Sequence, residues 1–279
     1  MAPSTGAATI KTLLAIVEGP ARKSGFIDTV LALAAFRQAH VIFDVLTAAP
    51  LLSEQLAPLG TLYTLPGQIR QLAQSHADNV RAMLPTGAPA EVVSHFDDVG
   101  WIPGDVRATA PLADLVVFGP AETWSIDWLR RRTIETILLS SGLPLLLLPS
   151  GRSLRAIDHA VFGWKPGPAA MRSLHHLIHL AAPGARIDVV SVKHGLDDVA
   201  ETDLAPVVTL LERHGFSVTG HALERSERAH DTLTGFALEH GADLLAVGGF
   251  GHARVREILL GGVTRSLIAD PRLPLLMAH

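Results

Sequence analysis

The chain contains no cysteine and a single tyrosine, its aromatic residues amount to 5%, and charged residues occupy only 18% of its 279 positions. Without thiols there are no disulfides, no thiolate nucleophiles and no cysteine-bound metal, a composition that fits the cytoplasm. The sparse charge is nearly balanced, 23 basic against 27 acidic residues for a net charge of -4. It therefore lacks the basic footprint typical of nucleic-acid and membrane-surface binders. Long hydrophobic runs are missing too: the stretch 143–149 is far shorter than the ~20 residues that span a bilayer. The opening "MAPSTGAATIKTLLAIVEG" has no charged start followed by a long apolar core, so no signal peptide is read there. The expected protein is cytoplasmic, with neither membrane nor nucleic acid as partner.

What the chain does have is apolar residues, 48% of the total, arranged as short runs alternating with longer amphipathic ones. That alternation predicts β-α-β units and a parallel sheet covered on both faces. Strands are expected at 12–17, 40–47, 91–96, 114–119 and 144–149, with helices at 22–38, 66–84, 102–112 and 125–140. The pattern then starts again. Strands are read at 159–164, 186–192, 216–221, 243–249 and 274–279, and helices up to 181 and at 203–214 and 226–240.

The repeat can be counted. "ADLVVFG" starts at Ala113 and "ADLLAVGG" at Ala242, an offset of 129; Pro144 and Pro274 open matching apolar runs at an offset of 130. The first strands, counted from Ile10 and Ile157, are offset by 147, so the first copy carries 147 − 129 = 18 extra residues. The Pro/Leu-rich stretch 48–65 accommodates them, and the small and charged residues of 150–156 mark the boundary. Two domains are expected, 1–150 and 151–279.

Between the fourth and fifth strands of the second copy the spacing is Gly248, two residues, Gly251, nine residues, Gly261, then Gly262, Val263 and Thr264. A duplicated five-strand α/β unit with this motif resembles a tandem universal stress protein, and "FGWKPGPAAMRSL" is similar to that family's first strand and helix. The resemblance implies two flavodoxin-like, adenine-nucleotide-hydrolase-like three-layer domains, each with a five-stranded parallel sheet in the order 3-2-1-4-5. Chain order would then reverse between strands one and four, where ligands of such sheets bind.

The resemblance also implies a non-enzymatic stress-response protein holding ATP or another adenine nucleotide, with or without Mg, in its second domain. Gly248 and Gly251 would turn the backbone with positive φ and let its amides approach phosphate. Gly261, Gly262, Val263 and Thr264 would open a helix whose amides favour an anion. His252, Arg254 or Arg265 would add positive charge. Lys165 stands where nucleotide-binding members carry an acid, and Val192, ending the second strand of this copy, completes the candidate set. Two alternatives stay open: a scaffold whose site is empty, and a weak ATPase or phosphotransferase, for which Glu257 is the nearest acid in the loop. Family members associate through their last strands, so 144–149 and 273–278 are expected to pair within the chain as a pseudo-dimer, with a homodimer also open.

The first copy keeps an acid, Glu18, at the end of its first strand but has no glycine loop after Gly119. It is expected to be a structural or regulatory half. Arg130, Arg131 and Arg132 point around a helix and are read as a solvated face. Trp124 and Trp128, four apart, are expected to pack together. His175 and His179 share a helix face but lack a third ligand, and His40, His159 and His221 are read as isolated structural residues. Ser140, Ser141 and Ser191 lie in no nucleophile motif.

Overall fold

The structure, a computed structural model, describes residues 10–20, 25–49, 66–97, 100–192, 204–224, 228–249, 262–269 and 271–279. Strands β1 (Thr12–Glu18), β2 (His40–Ala48), β3 (Ala90–Asp97), β4 (Leu115–Phe118) and β5 (Leu145–Leu147) belong to the first half. Strands β6 (His159–Gly163), β7 (Arg186–Val192), β8 (Ser217–Leu223), β9 (Leu244–Gly248) and β10 (Leu275–Ala278) belong to the second. The helices are α1 (Phe26–Arg37), α2 (Pro66–Met83), α3 (Ile102–Thr109), α4 (Asp127–Ser140), α5 (Pro168–Leu180), α6 (Ala205–Arg213), α7 (Ala229–Glu239) and α8 (Gly262–Ala269). The extra stretch of the first copy lies largely outside the described residues.

All ten strands form one sheet in the order β3-β2-β1-β4-β5-β10-β9-β6-β7-β8. Each half therefore runs 3-2-1-4-5 with parallel pairing, the doubly wound arrangement expected. The halves meet where β5 pairs antiparallel with β10, Leu145 opposite Met277, Leu146 opposite Leu276 and Leu147 opposite Leu275. Leu146 and Leu276 are also equivalent in the repeat, 130 apart, so a pseudo-twofold axis passes through their pair.

Alternation along β1 shows why its run is apolar throughout. Leu13, Ala15 and Val17 pack into one core with α1, α5 and α6, while Leu14 and Ile16 pack into the other with α3, α4, α7 and α8. A strand covered on both faces has no position for a solvated side chain.

The duplication reaches side chains that bond backbone. Asp114, just before β4, accepts the amides of Lys11 and Thr12 at 2.7 and 2.9 Å. Asp243, just before β9, accepts those of Asp158 and His159 at 3.0 and 2.9 Å. The acceptors are 129 apart and the donors 147 apart, the two offsets read from the sequence. An aspartate–histidine diagonal also links strands two and three in each half, in the second displaced by two residues from the repeat-equivalent positions. Asp44 bonds His95 Nδ1 at 2.7 Å, and Asp188 bonds His221 Nε2 at 3.0 Å, each histidine opposite the residue two beyond the aspartate. Asp188 also holds His159 at 2.7 Å and Arg186 at 2.9 Å. His159 and His221 are thus joined through one buried carboxylate, contrary to their reading as isolated residues.

Two arginines of the first half clasp helix ends of the second, one on each face of the sheet. Arg37 donates from Nη1 to the carbonyl of His179 at 3.3 Å and from Nη2 to that of Leu180. Arg130 donates from Nη1 to the carbonyl of Ile268 at 3.0 Å. Cations at helix C-termini complement the unpaired carbonyls and the dipole. Arg130 is only 4% exposed, which corrects its reading as part of a solvated face; Arg131 and Arg132 do lie at the surface.

Candidate functional site

In an open doubly wound sheet the ligand crevice lies beyond the carboxyl ends of the strands where chain order reverses. Here those places are β1/β4 and β6/β9, two neighbours in each half.

At β6/β9 the pairing of Gly163 with Val247 brings the segment after β6 alongside the root of the glycine loop. Lys165, exposed, follows β6 by two residues. Gly163 also pairs with Val190, so Val192, half-buried at the end of β7, lies level with Lys165. Gly248 closes β9, and its role differs from the one expected. Its φ is not positive; instead a Cβ there would lie 2.6 Å from the amide nitrogen of Ala170 and 2.8 Å from its Cα. The glycine is required because the first turn of α5 packs directly onto the strand end. Gly249 is likewise committed to packing: its amide bonds the carbonyl of Ala278 at 2.8 Å, and a Cβ would meet Leu138 of α4 at 3.2 Å.

Beyond this root the candidate residues Gly251, His252 and Gly261, with Arg254 and Glu257, lie outside the described residues. Gly262, Val263 and Thr264 form the first turn of α8, so the motif does lead from a strand into a helix.

The β1/β4 crevice is filled by the protein itself. Glu18, 5% exposed, reaches the start of α4, where its carboxylate accepts the amide of Ser125, the Ser125 hydroxyl at 2.9 Å and the amide of Ile126 at 3.4 Å. These are donors that a helix N-terminus offers to an anion. Around it, the ring of His76 lies so close to Gly19 that a Cβ would fall 2.3 Å from its Nδ1, and that nitrogen bonds Thr47 Oγ1 at 2.9 Å. Desolvation pushes the His76 pKa down, against the pull of Glu18. On the far side, Phe26 fills the space beside Gly119, its ring 3.0 Å from where a Cβ would stand.

Glu18 and Lys165 are equivalent positions, 147 apart. The same site in the repeat therefore carries a carboxylate seated on its own helix in one half and a cation in the other. Sequence reasoning noted the acid and the lysine at the ends of the two first strands and missed only where Glu18 is seated, because its partner is a backbone amide 107 residues away.

The remaining candidates resolve without forming a reactive cluster. Trp124 is buried and stacks on Phe118 at 5.9 Å, while Trp128 is 43% exposed. They do not share a helix face, since α4 begins only at Asp127. Ser140 and Ser141 donate back to the carbonyls of Thr136 and Ile137. Among the described residues no group of three or more histidine or acidic side chains is placed to hold a metal ion, and no helix is long and apolar enough to cross a membrane.

The fold and its two crossover crevices define a duplicated, doubly wound three-layer α/β protein. No protein-family model and no curated protein sequence matches the chain. Its structural neighbours include universal stress proteins. One from Archaeoglobus fulgidus DSM 4304 superposes with a TM-score of 0.65 at 15% identity, covering 95% of this chain and 97% of that one. A provisionally assigned universal stress protein from Pseudomonas aeruginosa UCBPP-PA14 gives 0.58 at 15% identity, covering 96% and 92%. A protein of unknown function from Pseudomonas aeruginosa PAO1 gives the same values. At that identity the likeness establishes the fold.

Proposed function

We propose that the chain is a tandem universal stress protein of the cytoplasm, divided at 150/151, whose second domain binds an adenine nucleotide and whose first domain is a structural half. One observation carries the reading: Glu18 occupies the helix N-terminus of the first crevice, and the equivalent residue of the second is Lys165. Seated on the amides at the start of α4, Glu18 takes donors that a phosphate would otherwise use. A lysine complements phosphate, because an ammonium is a good phosphate partner. The Gly-x2-Gly-x9-Gly spacing, running from β9 into α8, supports the same half as the binding one.

In this reading Gly248 and Gly249 anchor the root of the loop, and Gly251 and Gly261 to Thr264 supply the phosphate contacts. The role is sensing or partner control in a stress response. Calorimetric titration with ATP and AMP, with and without magnesium, tests it. Binding is expected in the parent protein, retained in Glu18→Ala, and lost in Gly251→Val and Gly261→Val. Equal affinity in the parent and in both glycine variants would remove the loop from the site. Release of ADP or phosphate on prolonged incubation would favour the ATPase alternative.

A further inference from the structure

Among the described residues six large hydrophobic side chains are exposed, and four of them lie on one layer of the molecule. They are Trp101 (72%) at the start of α3, Leu112 (69%) just beyond its end, and Trp128 (43%) and Leu139 (44%) on α4. α3 leads into β4 and α4 into β5, and these strands are parallel neighbours, so the two helices, packed in the same core, run in the same direction. The two tryptophans therefore share one end of the layer and the two leucines the other. Exposed apolar surface gathered in this way marks an interaction site.

On α4 the pattern is finer. Trp128, Arg132, Glu135 and Leu139 stand at i, i+4, i+7 and i+11, the alternating spacing of a coiled-coil seam. Leu129, Thr133, Ile134, Ile137 and Leu138 are buried on the opposite side, so the seam is the outward ridge of the helix. Its order is self-complementary: reversed end for end about the level between Thr133 and Ile134, Trp128 falls opposite Leu139 and Arg132 opposite Glu135. Within one chain Arg132 and Glu135 are 3.6 Å apart. The buried Glu135 lines a depression of about 380 Å³ beside Trp128, deep enough to admit a guanidinium on a long stem from outside. Charge balance narrows the choice of partner. Apart from the buried Arg130, α3 and α4 carry Arg107, Arg131 and Arg132 against Asp105, Asp127 and Glu135. These helices offer no net charge to a polyanion or a polycation, and two copies meet without net repulsion.

We propose that a second copy of this chain covers this face, α4 pairing antiparallel with its counterpart across a twofold axis. Each Trp128 packs on the other copy's Leu139 and each Arg132 reaches the other copy's Glu135, with Trp101 and Leu112 flanking the helix pair. Such an interface is isologous, the same patch on both subunits. It differs from association through the last strands, which β5 and β10 already satisfy within the chain, and it does not rest on the reading of the glycine loop.

The full chain is expected to show a monomer–dimer equilibrium in analytical ultracentrifugation at concentrations up to roughly 100 μM. Trp128→Glu and Leu139→Glu, at exposed helical positions and with a good helix former, are expected to weaken it by about a hundredfold each, since the axis applies each change twice, with unchanged circular dichroism. Because the chain has no cysteine, disulfide trapping reads the register. Trp128→Cys and Leu139→Cys chains, mixed and then oxidised, are expected to give a covalent dimer, the two positions facing each other within the Cα separation of about 4.4–6.8 Å that a disulfide needs. Oxidised alone, each variant is expected to stay uncross-linked, its two cysteines about 16 Å apart along the helices. The proposal is overturned if the parent sediments as a monomer throughout that range, if neither glutamate variant shifts the equilibrium, or if each cysteine variant cross-links alone as readily as in the mixture.

Discussion

Glu18 shows how one side chain decides whether a helix terminus is available. Its carboxylate takes two amides and a hydroxyl at the start of α4 while almost wholly buried, so truncation leaves those donors unpaired. Glu18→Ala is expected to cost roughly 1–3 kcal/mol in chemical denaturation, and added inorganic phosphate should recover more stability in the variant than in the parent. A variant as stable as the parent would deny the carboxylate that seat. Another single-residue effect follows from pH. The hydrogen bond to Asp44, opposed by desolvation, raises the His95 pKa above the free imidazole value of 6.5. A pKa raised on folding stabilises fully below the unfolded value and is lost as pH rises through the folded one. His95→Gln is therefore expected to cost more stability at pH 6 than at pH 8.5, measured by urea titration at both; an equal cost would show that the proton is not shared with Asp44. His76 works in the opposite sense, its lowered pKa withdrawing stability as pH falls below 6.5, so only the substitution isolates His95.

Elements were legible in the sequence because their signals are local and periodic. The strands at 186–192 and 40–47 are buried on both faces and read as largely apolar runs, and the observed β7 and β2 agree to within a residue at each end. The repeat offsets survived as hydrogen bonds, from Asp114 and Asp243 to residues more than 80 positions away. What stayed hidden depends on contacts between elements. Gly248 carries the same letter whether it opens a phosphate loop or admits a helix, and only the approach of α5 shows that it admits a helix. Arg130 belongs to an arginine triplet that suggests solvent, and only the arrival of α8 buries it. Gly248→Ala is accordingly expected to destabilise by about 1–3 kcal/mol through backbone overlap with Ala170, whatever its effect on nucleotide. If Gly248→Ala melts with the parent, α5 does not press on β9 as described.

At the scale of the molecule, the seam determines what surfaces remain. A parallel five-stranded sheet ending in an apolar strand has an edge open to pairing, and such an edge invites association between chains. Here β5 and β10 close each other, so association through the last strands is already used within the chain, and the sheet's outer strands are β3 and β8. The polypeptide between the halves gives β5 and β10 a high effective concentration for each other, which explains how three residue pairs suffice. Leu146 and Leu276 lie on the pseudo-axis with no exposed surface, so a charge at either faces its equivalent position across the seam. Leu146→Lys buries an unpaired ammonium there, and such groups cost several kcal/mol or force neutralisation. The parent is expected to unfold in one cooperative transition, and the variant to lose that cooperativity and, with its edge strands freed, to self-associate in analytical ultracentrifugation. A Leu146→Lys chain that sediments and unfolds like the parent would mean that the two halves are held by Arg37, Arg130 and the helices alone, with the strand pairing incidental.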